Sequence, residues 1–170
     1  FLHIELMRRG VDLRLDESFS AIGTEGGLTV QTDRGTYGAD LAVIAVGVTP
    51  ESDLARDAGL ALGLKGSIAV DAHMRTSDEN IYAVGDAVEV RQSVTGEKAL
   101  IALAGPANKQ GRIAADNICG GDSVYRGSQG SSVLRGFSLT AASTGINEKT
   151  ARALGLDYDK VVLSPLSHAS

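Results

Sequence analysis

Hydrophobic and polar residues at the start of the chain follow first a helical spacing and then strand spacings. The apolar positions of residues 1–7 fit the end of an amphipathic helix, which Gly10 would terminate. Residues 11–15 alternate between apolar and polar side chains, which predicts a half-buried strand. Residues 19–46 predict an antiparallel meander of three further strands. Its last part, residues 41–46, is apolar throughout, a pattern typical of a strand covered on both faces.

Two apolar runs in the middle of the chain end at a glycine. Gly47 follows residues 41–46, and Gly85 follows residues 81–84, which predict another buried strand. A short helix is predicted between the two runs, over residues 52–58. A glycine at the end of a strand allows a sharp turn of the backbone, or the approach of a ligand that a Cβ atom would block.

Asp86 directly follows the second of these glycines. In open α/β sheets, ligands bind outside the carboxyl ends of the strands, where Asp86 would accept a hydrogen bond from a sugar hydroxyl. An aspartate at such a place also often accepts hydrogen bonds from the amides of its own turn. The pattern alone leaves both interpretations open.

A longer helix is predicted from about Ala107, after a break at residues 105–106, and residues 120–121 would end it. Its apolar residues repeat at helical spacing, and its first turn carries no acidic residue. The positive end of the helix dipole would therefore suit a ligand that is or becomes negative.

The last part of the chain predicts more of both kinds of element. Residues 132–144 predict a strand pair or one long bent strand. Residues 147–155 predict a helix with Asn147 as its N-cap and Gly155 as its end.

Composition narrows the classes of function. The 170 residues are 43% hydrophobic and 22% charged, with a formal net charge of −5, which argues against a nucleic-acid or membrane-surface binder and is typical of a cytoplasmic protein. No apolar run approaches the roughly 20 residues of a membrane span. Cys119 is the only cysteine, so no internal disulfide can form, and its place at a helix end predicts a small buried side chain. The three histidines show no spacing typical of a metal site.

Four segments in order resemble successive signatures of one family. They are "ADLAVIAVGVTPESDLARDAGLAL", "GSIAVDAHMRTSDENIYAVGDAVEV", "LAGPANKQGRIAADNICGG" and "SVLRGFSLTAASTGINEKTARALG". The sequence resembles the FAD-dependent pyridine nucleotide–disulfide oxidoreductases. Within them it is most similar to the single-cysteine branch of NADH oxidases, NADH peroxidases and coenzyme A-disulfide or persulfide reductases.

This resemblance implies an α/β fold with parts of two Rossmann-like three-layer domains and the start of an α+β dimerisation domain. Residues 1–47 would end the NAD-binding domain, residues 48–121 would complete the FAD-binding domain, and residues 122–170 would open the dimerisation domain of a homodimer. The parent enzyme would pass electrons from NAD(P)H through FAD to a cysteine redox centre. The acceptor would be a coenzyme A disulfide or persulfide, peroxide or oxygen.

The resemblance also assigns site residues. It implies that Asp86 hydrogen-bonds the ribityl chain of FAD, while Gly85 lets the cofactor approach. The implied FAD-binding positions are Gly85, Asp86, Leu103, Ala104 and Ala107, the last three through backbone amides near the pyrimidine edge of the flavin. Gly47 would lie on the NAD side, and Asn108 would face the thiol substrate.

Two motifs of the family are absent from this sequence. Neither GxGxxG phosphate loop is present, and the redox cysteine is expected outside the chain, so no catalytic residue is assigned and the isolated chain is expected to be inactive. Two alternatives stay open: a non-catalytic FAD-binding fragment, and a flavin reductase of the ferredoxin-reductase type. The segment "LAGPANKQGR" followed by "STGINEKT" favours the thiol branch. The choice between NADH and NADPH is not determined by these residues.

Overall fold

The computed structural model describes residues 1–164, which form two compact units. The first consists of Phe1–Glu51 with Val133–Ala142, and the second of Ser52–Ser132 with the described residues from Ser143 onward. The helices and strands are α1 (Leu2–Arg8), β1 (Phe19–Gly23), β2 (Thr29–Thr32), β3 (Thr36–Gly38), α2 (Asp53–Asp57), β4 (Val90–Arg91), β5 (Lys98–Ala99), α3 (Ala104–Ile118), β6 (Ser132–Gly136), β7 (Leu139–Ser143) and α4 (Glu148–Ala153).

The first unit is built on a three-stranded antiparallel sheet in the order β1-β2-β3. Val30 pairs with Ile22 on one side and with Tyr37 on the other, as the predicted meander requires. Helix α1 ends at the predicted place, where Gly10 takes a φ of +82°. The hydroxyl of Tyr37 donates to Glu17 at 2.6 Å.

Two strands predicted in the first unit are wrong. Residues 11–15 form no strand, and the guanidinium of Arg14 instead stacks 4.3 Å from the centre of the Tyr37 ring. Residues 41–46 also form no strand, and Val43 is 82% exposed. A strand covered on both faces needs neighbouring strands, and no segment between residues 1 and 164 pairs with this one.

The core of the second unit lies between helix α3 and the segments that pack against this helix. The buried side chains of this core are Met74, Val88, Val90, Ala114 and Tyr125. Strands β4 and β5 form a two-stranded hairpin beside it. The predicted short helix is present as α2, and Gly59 follows it with a φ of +74°.

The buried strand predicted at residues 81–84 is also wrong. Tyr82 forms a single bridge to Arg75, and the chain then enters a short 3-10 turn over Gly85–Ala87. Tyr82 and Ala83 pack against the core, whereas Ile81 and Val84 are exposed. One bridge is too little pairing to form a ladder, because each further strand hydrogen bond needs a partner in register.

Helix α3 starts earlier than predicted and ends as predicted, with Gly120 following its C-cap at a φ of +88°. It begins at Ala104, three residues before Ala107, and Pro106 lies in its first turn, where a missing N–H removes no intrahelical bond. At the other end Ile118 and Cys119 are exposed, so the prediction of a buried cysteine is wrong. The reason is rotational: position 119 lies about 200° around the helix from Asn117.

The C-terminal elements match their prediction. Strands β6 and β7 pair in a two-stranded sheet. The side chain of Asn147 caps α4 by accepting a hydrogen bond from the Thr150 amide at 2.9 Å, and Gly155 follows the helix with a φ of +63°. None of the described helices is long and apolar enough to cross a membrane.

Candidate functional site

The turn at Gly85–Ala87 presents an acidic side chain to solvent. Val84 is extended, with a φ of −146°, and Gly85 reverses the chain with a φ of +86°, which L side chains rarely adopt. A Cβ atom built on Gly85 would meet no atom within 4 Å, so the backbone angle requires glycine here and crowding does not. Asp86, the next residue, is exposed at the tip of the turn.

Asp86 differs from two other aspartates in neighbouring turns. Asp71 Oδ1 accepts hydrogen bonds from the amides of His73 and Arg75 at 2.8 and 2.9 Å, and Asp78 Oδ1 accepts from the amide of Asn80 at 2.8 Å. Within residues 1–164, no hydrogen bond or ion pair is formed by the Asp86 carboxylate. The turn therefore does not use this side chain to satisfy its own amides, and the carboxylate can accept from a ligand.

The start of helix α3 provides backbone donors. The Leu103 amide donates to the carbonyl of Ile101 at 2.9 Å, and the Ala107 amide donates to the carbonyl of Leu103 at 3.1 Å. Pro106 has no N–H, so the first-turn donors without an intrahelical acceptor are Ala104 and Gly105. No acidic residue lies in this turn, and the partial positive charge of the helix end is not neutralised there.

A buried glutamine connects the turn to the helix. Gln110 is 1% exposed, and its Oε1 accepts a hydrogen bond from the amide of Gly85 at 2.7 Å. The structure thus brings Gly85 and Asp86 together with the N-terminal half of α3. Gly47 lies in the first unit, where it is exposed and has a φ of +106°.

An open cleft adjoins the first turn of α3. It has a volume of about 470 Å³, and Gly105, Pro106, Lys109 and Arg126 are among its lining residues. Lys109 and Arg126 supply positive charge on the same side as the helix start. Asn108, the predicted substrate-side residue, is exposed next to Lys109.

A buried carboxylate, paired with an exposed lysine, anchors the chain immediately after the turn. Glu89 is 3% exposed, its Oε1 pairs with the ammonium of Lys98, and its Oε2 accepts from the Leu64 amide at 2.9 Å. Burial by itself raises the pKa of Glu89, but the hydrogen bonds from Lys98 and Leu64 outweigh it and hold the pKa below its ordinary value of 4.5. Among the described residues, no group of three or more His, Cys, Asp or Glu side chains could hold a metal ion.

Gln110 and Asn117 are the residues that the hydrophobic pattern missed. Both are buried on the same face of α3 as Ala114, because positions 110, 114 and 117 follow the i, i+4, i+7 spacing of one helix face. Asn117 Nδ2 donates to the carbonyls of His73 and Ser123 at 3.0 and 2.9 Å. The sequence does show that positions 110 and 117 fall on the same helix face as Ala114. A search for apolar residues alone does not pick out polar side chains on that face.

Comparison of the sequence with families of known proteins gives one match to a family profile. Residues 1–111 match the family described as pyridine nucleotide-disulphide oxidoreductase. The NAD(P)H sulfur oxidoreductase (CoA-dependent) of Pyrococcus furiosus is 38% identical over 154 residues, which is 90% of this chain and 35% of that protein. The NADH oxidase of Lactococcus lactis subsp. cremoris is 36% identical, over 89% of this chain and 34% of that protein.

Solved structures show the same likeness. The reduced CoADR-RHD of Bacillus anthracis superimposes with a TM-score of 0.87 at 43% identity, over 93% of this chain and 28% of that chain. The NAD-dependent persulfide reductase from A. fulgidus gives a TM-score of 0.86 at 41% identity, over 91% of this chain and 29% of that chain. The chain therefore spans about a third or less of the length of these relatives.

Proposed function

Because this chain belongs to the pyridine nucleotide-disulphide oxidoreductase family, whose fold is of the Rossmann type, we propose that it supplies part of the FAD site of a longer flavoprotein. That enzyme would pass electrons from NAD(P)H through FAD to a cysteine redox centre. The family resemblance seen in the sequence is confirmed by the profile match and by the relatives. The acceptor would be a coenzyme A disulfide or persulfide, peroxide or oxygen, a range that suits relatives named as a CoA-dependent sulfur oxidoreductase and an NADH oxidase.

The exposed Asp86 carboxylate is the observation that carries this proposal. It lies at the tip of a glycine-initiated turn and accepts no hydrogen bond from residues 1–164, whereas Asp71 and Asp78 stabilise their own turns. A hydroxyl of the ribityl chain of FAD would donate to it. Gly85 has no Cβ atom, so the backbone leaves room for the cofactor beside the carboxylate.

The first turn of α3 fits the ring end of the same cofactor. FAD, when bound, supplies an electron-accepting ring whose pyrimidine edge becomes negative on reduction. The N–H groups of Ala104 and Gly105 and the positive helix end favour a negative group at this place. The amides of Leu103 and Ala107 already donate to carbonyls, so their contribution to the site is to shape the turn.

The finer assignments belong to the same proposal. Residues 1–47 would end an NAD-binding domain with Gly47 near the nicotinamide side, residues 48–121 would complete an FAD-binding domain, and residues 122–170 would open an α+β dimerisation domain. The last six of these residues lie outside the described part of the chain. Asn108 would face the thiol substrate, and the whole enzyme would be a cytoplasmic homodimer.

The proposal is tested by replacing Asp86 in the full-length protein. Asp86→Ala should make FAD binding less favourable by about 1–3 kcal/mol, because a charged hydrogen-bond acceptor is removed. The dissociation constant is measured by adding FAD to the apoprotein and following the flavin fluorescence. Asp78→Ala is the matched control, since this exposed aspartate caps a nearby turn.

We expect Asp78→Ala to keep the FAD affinity of the wild type. Unchanged affinity and full flavin content in Asp86→Ala would refute the assignment of the turn to the cofactor. A loss of the same size in both variants would show that the effect comes from loosening of the turns and not from a lost contact with the ligand.

A further inference from the structure

Gln110 occupies an unusual place for a polar side chain. It is 1% exposed, in the middle of helix α3, next to a core of apolar side chains. Glutamine is rarely buried to this extent unless its polar atoms have partners. Its Oε1 has one in the Gly85 amide at 2.7 Å.

The accepted hydrogen bond acts on the peptide unit between Val84 and Gly85, one residue before Asp86. Gly85 has a φ of +86° and no Cβ atom, so its backbone has more conformational freedom than that of any other residue type. A hydrogen bond to its N–H holds the orientation of that peptide unit and so limits rotation about φ of Gly85, on which the place of the Asp86 carboxylate depends. The same bond fixes the turn relative to the first-turn amides of α3.

We propose that Gln110 is a positioning residue, which holds Asp86 and the start of α3 at one separation so that a single FAD molecule contacts both. This inference rests on the function proposed above. Gln110 acts through the Gly85 amide and does not itself touch the cofactor.

Helix α3 contains a matched control. Asn117 is also a buried amide of the same helix, and it hydrogen-bonds the backbone of His73 and Ser123. It makes no hydrogen bond to the turn that carries Asp86. If the buried amides of α3 have a purely structural role, replacing either residue should change the FAD affinity to a similar extent. If Gln110 has a positioning role, its replacement should lower the FAD affinity more than replacement of Asn117.

The experiment uses the full-length protein with Gln110→Met and Asn117→Leu. Methionine keeps the approximate volume of glutamine but cannot accept the Gly85 hydrogen bond. We expect both variants to lower the midpoint of thermal unfolding of the apoprotein. Gln110→Met should also raise the dissociation constant for FAD by roughly 3- to 10-fold, while Asn117→Leu leaves it within about twofold.

A double-mutant cycle then separates positioning from general destabilisation. If Gln110 acts by orienting Asp86, the loss of FAD affinity in the variant with both Asp86→Ala and Gln110→Met is smaller than the product of the two single losses. Independent losses, or equal effects of Gln110→Met and Asn117→Leu on affinity, overturn the positioning role while the function proposed above stands. Wild-type affinity in Asp86→Ala overturns both.

Gln110→Asn provides a second route if the methionine variant does not fold. It keeps a buried amide but shortens it by one methylene group, so its oxygen no longer reaches the Gly85 amide. The same loss of affinity and the same non-additivity with Asp86→Ala are expected. Wild-type affinity in Gln110→Asn contradicts the proposal.

Discussion

At the scale of single residues, glycine is required at two positions for two different reasons. The reason is the backbone angle at one position and close packing at the other. Gly85 is required by its φ of +86°, with open space where a Cβ atom would be. Gly63 is required by crowding, since a Cβ atom built on it would overlap the carboxylate of Glu89. The Glu89 carboxylate cannot easily move away, because it is buried and accepts from both Lys98 and Leu64.

Gly63→Ala should therefore destabilise the protein. We expect a loss of about 1–3 kcal/mol in the free energy of unfolding, because the new methyl group displaces a buried and hydrogen-bonded carboxylate. Urea denaturation measures it. Gly38→Ala is the control, since a Cβ atom there meets nothing within 4 Å, and we expect a change within about 0.5 kcal/mol. Equal stability of the two variants would contradict the crowding at Gly63.

The turn of the candidate site was predicted from the sequence, but the buried glutamine that hydrogen-bonds to this turn was not. The glycine and aspartate at positions 85 and 86 were predicted from the end of an apolar run, and both lie at the exposed turn. Gln110 was missed because its hydrogen-bond partner is 25 residues away, a distance that local pattern does not show. Cys119 was predicted as buried from its type and its place at a helix end, whereas the rotation of the helix places it outside.

At the scale of elements, one buried carboxylate joins the β4–β5 hairpin to an earlier segment of the chain. Glu89 lies next to β4, Lys98 belongs to β5, and the Leu64 amide comes from a short 3-10 turn. The pKa of Glu89 is below its ordinary value, since the two donors outweigh the effect of burial, which acts in the opposite direction. A carboxyl whose folded pKa is depressed stabilises the fold above its unfolded pKa and loses that contribution as the pH falls through the folded pKa.

Glu89→Gln should consequently weaken the dependence of folding stability on pH in the acid range. We expect the wild type to lose stability as the pH falls through and below about 4.5, the unfolded value, and the variant to lose less over the same range. The urea midpoint between about pH 6 and about pH 3 provides the measurement. Glu97→Gln, an exposed position in the same hairpin, is the control and should follow the wild type. Parallel profiles for Glu89→Gln and the wild type would exclude the predicted contribution.

Helices were predicted more accurately than strands, for a physical reason. The bonds of a helix are local, so Gly10 and Asn147 mark the ends of α1 and α4 in the sequence itself. A strand needs partners that are distant in sequence. Residues 41–46 have the composition of a buried strand, yet no segment between residues 1 and 164 pairs with them.

At the scale of the whole molecule, the family was recognisable from four ordered segments, and the profile match confirms it over residues 1–111. The predicted domain boundaries at residues 47 and 121 stay a prediction, since the compact units reflect contacts within this chain alone. The acceptor and the nicotinamide cofactor are not encoded in the segments that carry the resemblance.

The isolated chain of 170 residues should not oxidise NADH, even with added FAD. Its sequence contains neither GxGxxG phosphate loop, and hydride transfer needs two cofactors held at about 3–3.5 Å. The absorbance of NADH follows the reaction, with the full-length protein as positive control. Robust turnover by a chain of confirmed mass would contradict the expectation that the cofactor anchors lie outside this sequence.

The two buried amide side chains of helix α3 fix the number of residues that can lie between them. Gln110 and Asn117 lie close to two full helical turns apart, so both face the core at once. Apolar side chains tolerate small rotations of a helix, but an amide with directional partners on fixed backbone atoms does not. Insertion or deletion of one residue between the two amides rotates one of them by about 100° around the helix axis relative to the other. Either Gly85 or the backbone of Ser123 would then lose its partner, so this stretch can change in composition but not in length.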